Sequence, residues 1–301
     1  MSTVRQLVRR VAPMALRRRR PMPHWELGVM RGRSPLEPAS DGGGRRLLGP
    51  GLLADLGLAA AADPFGLHHD GRWWVLFEAV PEGSRRGRVD AVVSDDLLTW
   101  RHAGTVLEEP FHVSYPCVVA DEHGDLCLVP ETSAIGEVRL YRTAELPGRF
   151  VLDRVLLEGR EFKDNTVFRH DGWWWMLTET STRHTNDELR LFGAADLAGP
   201  WKEHPASPVV AGDPTVARPA GPPVVLDGRL IRFAQDCSGG YGRRVLAVEI
   251  TELTPTTYAE QRLGEPWLPA GDTDGWRPRA MHHLDAHTVG DGWVSFVDGR
   301  P

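Results

Sequence analysis

Six acidic residues fall in pairs about three Asp-Gly turns: Asp63 with Glu78 about Asp70-Gly71, Asp164 with Glu179 about Asp171-Gly172, and Asp285 with Asp298 about Asp291-Gly292. When Asp-Gly forms the two central residues of a hairpin turn, residues equally far from it on either side face each other. Directly opposed Cβ atoms lie roughly 4.5–5.5 Å apart, and like charges that close require a proton, a cation or a ligand between them. Glycosidic cleavage uses such an arrangement, with one protonated carboxyl to donate to the leaving oxygen and one carboxylate to activate water or attack carbon.

Other polar residues stand at equivalent positions. Glu131 follows its turn glycine, Gly124, by the same interval as Glu78 and Glu179, with Ser114-Tyr115-Pro116 across from it; Gln235 holds that place in the next unit, opposite Ala217-Arg218-Pro219-Ala220. His112 and Tyr115 suit hydroxyl bonding and stacking against a sugar. His283, Asp285 and His287 alternate along one strand face and share a metal-like i, i+2, i+4 spacing. Imidazoles at such a place more often serve as hydrogen-bonded core or substrate contacts, so neither a metal nor a cofactor is expected. The loop Cys237 to Gly242 follows Gln235-Asp236 and is rich in glycine, but no phosphate-binding fingerprint precedes a helix there. The candidate catalytic residues are Asp63, Asp164, Glu131 and Glu179. The candidate ligand contacts are Glu78, His112, Tyr115, Arg218, Gln235, Asp236, Tyr241, His283 and Asp285.

The elements that must carry these residues repeat. A turn between two apolar runs ends at Gly71, Gly124, Gly172, Gly228 and Gly292, and the first four are each followed by a Leu with an aromatic just beyond: Trp100, Phe150, Trp201 and Tyr258. Each turn predicts a hairpin. Arg88 to Val93, Val138 to Arg142, Leu189 to Ala194 and Val245 to Ile250 read as third strands, with a fourth near the aromatic. Five four-stranded units arranged radially make an all-β fold, a five-bladed β-propeller. The last unit stops after its hairpin, and Trp25 to Met30 is the strand expected to complete it. Residues 24–301 then form one domain behind a basic tail, residues 1–23. All the strand ends named above surround one mouth of the propeller axis.

Composition narrows the partners. The formal net charge is -6, and seven arginines precede Glu26, so the body beyond them is more acidic still. A body of that sign excludes phosphate-backbone binding, and no nucleic acid is expected. Three cysteines without metal-like spacing argue against a disulfide framework. No apolar run approaches the eighteen or so residues of a membrane span, and the chain reads as cytoplasmic. The tail reads as a solvated basic arm; weak contact with an anionic membrane is the alternative, because arginines flank the apolar patch Val11 to Leu16.

Ala62-Asp63-Pro64-Phe65, Phe111 to Pro116, Pro130-Glu131-Thr132, Ala217 to Gly221, Arg232 to Cys237, Tyr241-Gly242 and Met281 to Asp285, taken in order, resemble the N-terminal domain of glucosamine inositolphosphorylceramide transferases. More distantly the body is similar to the five-bladed glycoside hydrolases of the arabinanase and xylosidase type. That second resemblance implies Asp63 as general base and Asp164 as the residue tuning the acid. The general acid has no clear counterpart; Arg218 stands near its place, and Glu131 or Glu179 would have to substitute. Two functions follow. One is a glycosidase-like enzyme acting on a glycan or sugar conjugate. The other is a module that binds a glycan or sugar phosphate for a partner glycosyltransferase or sugar-modifying enzyme.

Overall fold

The computed structural model describes residues 24–37, 44–182, 184–264 and 280–300. The basic tail and its expected membrane contact lie outside them. Five antiparallel sheets form the five blades of a propeller. Their inner strands are Leu58–His69, Ser114–Ala120, Lys163–His170, the broken pair Arg218–Pro219 and Val224–Leu226, and Leu284–Val289. Each pairs with a second strand: Arg72–Pro81, Leu126–Glu131, Trp173–Glu179, Arg229–Gln235 and Gly292–Gly299.

Three hairpins turn where their Asp-Gly dipeptides predict. His69 faces Arg72, His170 faces Trp173 and Leu226 faces Arg229. Asp70, Asp171 and Asp227 take φ near +50° and the following glycines are positive too, which is the type I′ requirement. The second blade instead carries a longer loop, with Ala120 facing Leu126. In the fifth blade Val289 faces Gly292, so the turn is Gly290-Asp291 rather than Asp291-Gly292. Position 290 is the glycine placed to take the first positive φ.

The ring closes through the N-terminal segment, and with two strands rather than the single one expected. Glu26–Gly32 pairs with Gly292–Gly299 as third strand, and Gly44–Leu48 follows as fourth. The short helix Pro50–Asp55 then leads into the first blade with Leu53 buried. Apolar clusters lie chiefly between neighbouring blades. Leu27, Leu48, Phe77, Val92 and Phe296 join the fifth to the first, while Leu76, Tyr115, Leu128 and Met176 belong to a cluster running through the first three. The aromatic after each repeated Leu contributes there: Phe150 and Trp201 are buried in that second cluster.

Candidate functional site

A bulge recurs at the start of three inner strands. Ala62 faces Glu78 and Phe65 faces Leu76; Ser114 faces Glu131 and Cys117 faces Val129; Lys163 faces Glu179 and Thr166 faces Leu177. Two residues therefore oppose one in each blade, and the first of the two has positive φ: Asp63 at 51°, Tyr115 at 46° and Asp164 at 51°. A bulged residue leaves the ladder and is re-aimed. This overturns the carboxylate pairs expected from turn counting. Asp63 does not oppose Glu78, and Asp164 does not oppose Glu179. In the fifth blade the turn lies one position earlier, so Asp285 faces Phe296 rather than Asp298.

The re-aimed groups link blade to blade. Asp298 of the fifth blade accepts the Asp63 N–H at 3.1 Å. Asp63 in turn accepts the Tyr115 N–H at 3.3 Å, and Glu131 accepts the Asp164 N–H at 3.0 Å. A carboxylate of the preceding blade thus holds each strained amide. Asp164 closes the next step differently, because Arg218 grips it with Nε at 2.6 Å and a terminal nitrogen at 3.3 Å, and the Gln235 amide donates at 2.6 Å. The remaining terminal nitrogen of Arg218 donates to Asn186 Oδ1 at 2.9 Å. The exposed Tyr241 ring lies 4.9 Å from the guanidinium carbon.

Asp63, Glu78, Glu131, Asp164, Arg218, Gln235 and Tyr241 are thereby brought into one polar funnel, with His112 at 3.4 Å from Glu78. Five other candidates do not join it. Glu179 is fully buried, bound by Lys163 Nζ at 3.2 Å and by the Ser181 N–H at 2.6 Å. Lys163 lies opposite it in the ladder, and this internal ion pair removes Glu179 from the list of proton donors. Asp236 is bound by Arg244 and by Ser238 of its own loop. Asp285 accepts the Gly66 N–H at 2.5 Å and bonds His287 at 2.9 Å, tying blade to blade below the mouth. Tyr115 and His283 are buried against Phe65 as an aromatic plug. The Tyr115 hydroxyl accepts the Gly221 N–H at 2.7 Å, and a Cβ at Gly221 would fall 2.0 Å from the Leu284 carbonyl oxygen, so only glycine fits.

Sequence reasoning passed over His282, Asp298 as a site residue, and Asn186. His282 stacks on Trp25 at 3.9 Å between ring centroids and packs edge-on against Tyr241. Its one signal was its place beside His283 in the Met281 to Asp285 motif.

Burial dominates the electrostatics. It raises the Glu78 carboxyl to about 8, reinforced by Glu131, Asp164 and Asp298. It raises Asp164 to about 6 against the pull of Arg218, and it raises Asp63 as well. Burial also depresses His283 to about 4, whereas at His282 burial pulls the same way but the Asp298 contact and the charges of Asp298, Asp63 and Asp164 together outweigh it and raise the imidazole. A carboxyl raised on folding stabilises the fold below its unfolded value, and that contribution is lost as pH climbs through the folded value. Urea unfolding is therefore expected to show stability declining between about pH 4.5 and 8, by at most about 1.4 kcal/mol per pH unit for each such group. Glu78→Gln should flatten the upper part of that decline. An unchanged slope in the variant would remove Glu78 as its source.

The sequence comparisons match this geometry to known proteins. A family model described as glucosamine inositolphosphorylceramide transferase 1, N-terminal, matches residues 53–300. The chain belongs to that family. The rice (Oryza sativa subsp. japonica) glucosamine inositolphosphorylceramide transferase 1 is 33% identical over 246 residues, covering 79% of this chain and 33% of the relative. The Arabidopsis thaliana protein of that name is 29% identical over 247 residues, covering 79% and 32%. The chain thus spans about one third of the length of these curated relatives. Membership makes it a carbohydrate-related protein.

Solved structures match the fold of this family member. An alpha-L-arabinofuranosidase from Clostridium thermocellum superposes with a TM-score of 0.56 at 14% identity, over 77% of this chain and 80% of its own. A family 117 glycoside hydrolase from Zobellia galactanivorans gives 0.55 at 13%, over 79% and 84%. At these identities the likeness is one of fold.

Proposed function

We propose that this domain is a recognition module that holds a sugar conjugate in its carboxylate-lined funnel for a partner glycosyltransferase or sugar-modifying enzyme. The observation that carries the reading is the bidentate grip of Arg218 on Asp164, with Gln235 on the same oxygen. Hydrolysis needs a free acid and a free base on either side of the scissile bond. Here Asp164 is consumed by Arg218, Glu179 by Lys163, and Glu131 by the Asp164 amide and Ser133. Every nitrogen of Arg218 already donates within the protein. With the Arg218 guanidinium so engaged, the funnel favours neutral hydroxyls and amino groups over a phosphate. Glu78 offers the acceptor, and Tyr241 is an exposed ring for a sugar face. The name of the plant relatives, a transferase of glucosamine to a ceramide conjugate, agrees with a sugar headgroup as ligand.

One observation favours hydrolysis instead. The Glu78 carboxyl, raised to about 8, is protonated at neutral pH as a general acid must be. The test is a binding screen of the purified chain against amino sugars, neutral oligosaccharides and sugar nucleotides, with each sample read by mass spectrometry for cleavage. Binding without products is expected, with Tyr241→Ala weakening it about tenfold, the loss of roughly 1.4 kcal/mol of ring contact. Products that vanish in both Glu78→Gln and Asp63→Asn would replace the binding module with an enzyme.

A further inference from the structure

At the floor of the funnel the side chains of Asp63, His282 and Asp298 converge, with one ligand atom from each lying within 4.8 Å of the others. All three are buried. The His282 Nδ1 lies 2.5 Å from Asp298 Oδ2 and 3.8 Å from Asp63 Oδ1. Despite the short separation from Asp298, it is not aligned for a hydrogen bond.

A second, independent observation sits beside the trio. His283 is completely buried, and neither of its ring nitrogens has a hydrogen-bond partner. Its Nδ1 points toward the cluster and lies 4.0 Å from Asp63 Oδ1. A buried polar atom without a partner is costly, and two on one ring call for an explanation. Phe65 and Tyr115 pack against the ring and offer it no acceptor.

We propose that Asp63, His282, Asp298 and His283 form a site for a divalent transition metal ion, with zinc or manganese the fitting class. Two carboxylate oxygens and two imidazole nitrogens are a borderline donor set, too rich in nitrogen for calcium or magnesium. Tetrahedral ligands held at about 2.0–2.1 Å from zinc are separated by about 3.4 Å. Within the trio the 3.8 Å spacing needs only a small contraction and the His282 to Asp298 contact opens by about 1 Å to admit the ion, while His283, 4.0 Å from Asp63 Oδ1 but outside the mutual 4.8 Å of the trio, moves inward as the fourth ligand. The remaining lone pairs are already arranged around such an ion. Asp298 Oδ1 accepts the N–H groups of His282 and His283, and Asp63 Oδ2 accepts that of Tyr115, so the outer oxygens are held by backbone. The ion would give His282 Nδ1 and His283 Nδ1 a shared partner, leaving His283 Nε2 as the one unmatched atom of the two rings. This site stands on its own geometry and does not depend on the sugar reading.

The full chain, stripped with a chelator, is titrated calorimetrically with zinc, manganese and calcium chlorides, and cobalt is added to report ligand geometry by visible absorption. One zinc or manganese ion per chain is expected, with a rise in melting temperature that grows with metal concentration. His282→Gln and Asp63→Asn should each weaken binding at least tenfold. His283→Phe, which replaces a ring among rings, should do the same while keeping the metal-free melting temperature within a few degrees. No saturable binding below millimolar metal, or binding that all three variants leave unchanged, would overturn the site. If His282→Gln fails to fold, the other two decide the matter.

Discussion

Asp298→Ala is expected to cost at least about 3 kcal/mol of unfolding free energy, read from the urea midpoint of the metal-free chain. The carboxylate is fully buried and accepts three backbone N–H groups, from Asp63, His282 and His283. Each amide left without a partner loses about 1–3 kcal/mol. The bond from Asp63 also spans the junction of fifth and first blades and holds Asp63 at its positive φ. Burial opposes the ionised form of Asp298, but His282, His283 and the backbone N–H of His282 together outweigh it and lower the carboxyl. Asp298→Asn retains an acceptor oxygen and should fall between the alanine variant and the natural chain. An alanine variant as stable as the natural chain would mean that the amides find water and that the link is incidental.

Lys163→Met is the second large effect, about 3–5 kcal/mol, measured in the same way. It would strand Glu179, which is 0% exposed and whose one cation within 4 Å among the described residues is Lys163. The Lys163 ammonium also donates to the Ser181 carbonyl at 2.7 Å. Removing both charges together in Lys163→Met/Glu179→Leu should recover most of the loss, because an apolar pair of similar volume spares the desolvation of two ions. If the single and double variants are equally unstable, packing and the Ser181 contacts carry the stability rather than the ion pair. The proposed glycan binding should be the same in the double variant as in the natural chain, since neither group belongs to the funnel.

Much of the architecture was legible along the chain. Repeated Asp-Gly turns, apolar runs and Leu-aromatic pairs are local signals, and each blade is a local object of consecutive strands. The third strands at Arg88–Ser94, Glu137–Thr143, Glu188–Ala194 and Val245–Leu253 begin within a residue of where the pattern puts them. Strand Gly44–Leu48 and helix Pro50–Asp55 were not read, because a short Arg-rich strand on an outer edge and a six-residue helix carry too little periodicity to announce themselves. The mouth was legible in composition and wrong in detail. Asp63, Glu131, Asp164, Arg218 and Gln235 do gather at strand ends, yet the pairing of Asp63 with Glu78 and of Asp164 with Glu179 failed by a single residue.

That residue marks the boundary between the two kinds of information. The sequence by itself determined the blade count, three of the hairpin turns and several of the polar residues at the mouth, because turn chemistry and side-chain alternation act over a few positions. Only the tertiary structure decided what each carboxylate faces. A one-residue bulge reverses the side to which a strand residue points. In each of the three bulges a carboxylate of the preceding blade binds the strained amide: Asp298 for Asp63, Asp63 for Tyr115 and Glu131 for Asp164. Those partners are 235, 52 and 33 residues apart in the chain, and the energy that holds the bulges exists only once neighbouring blades have docked, for Asp63 only once the ring has closed.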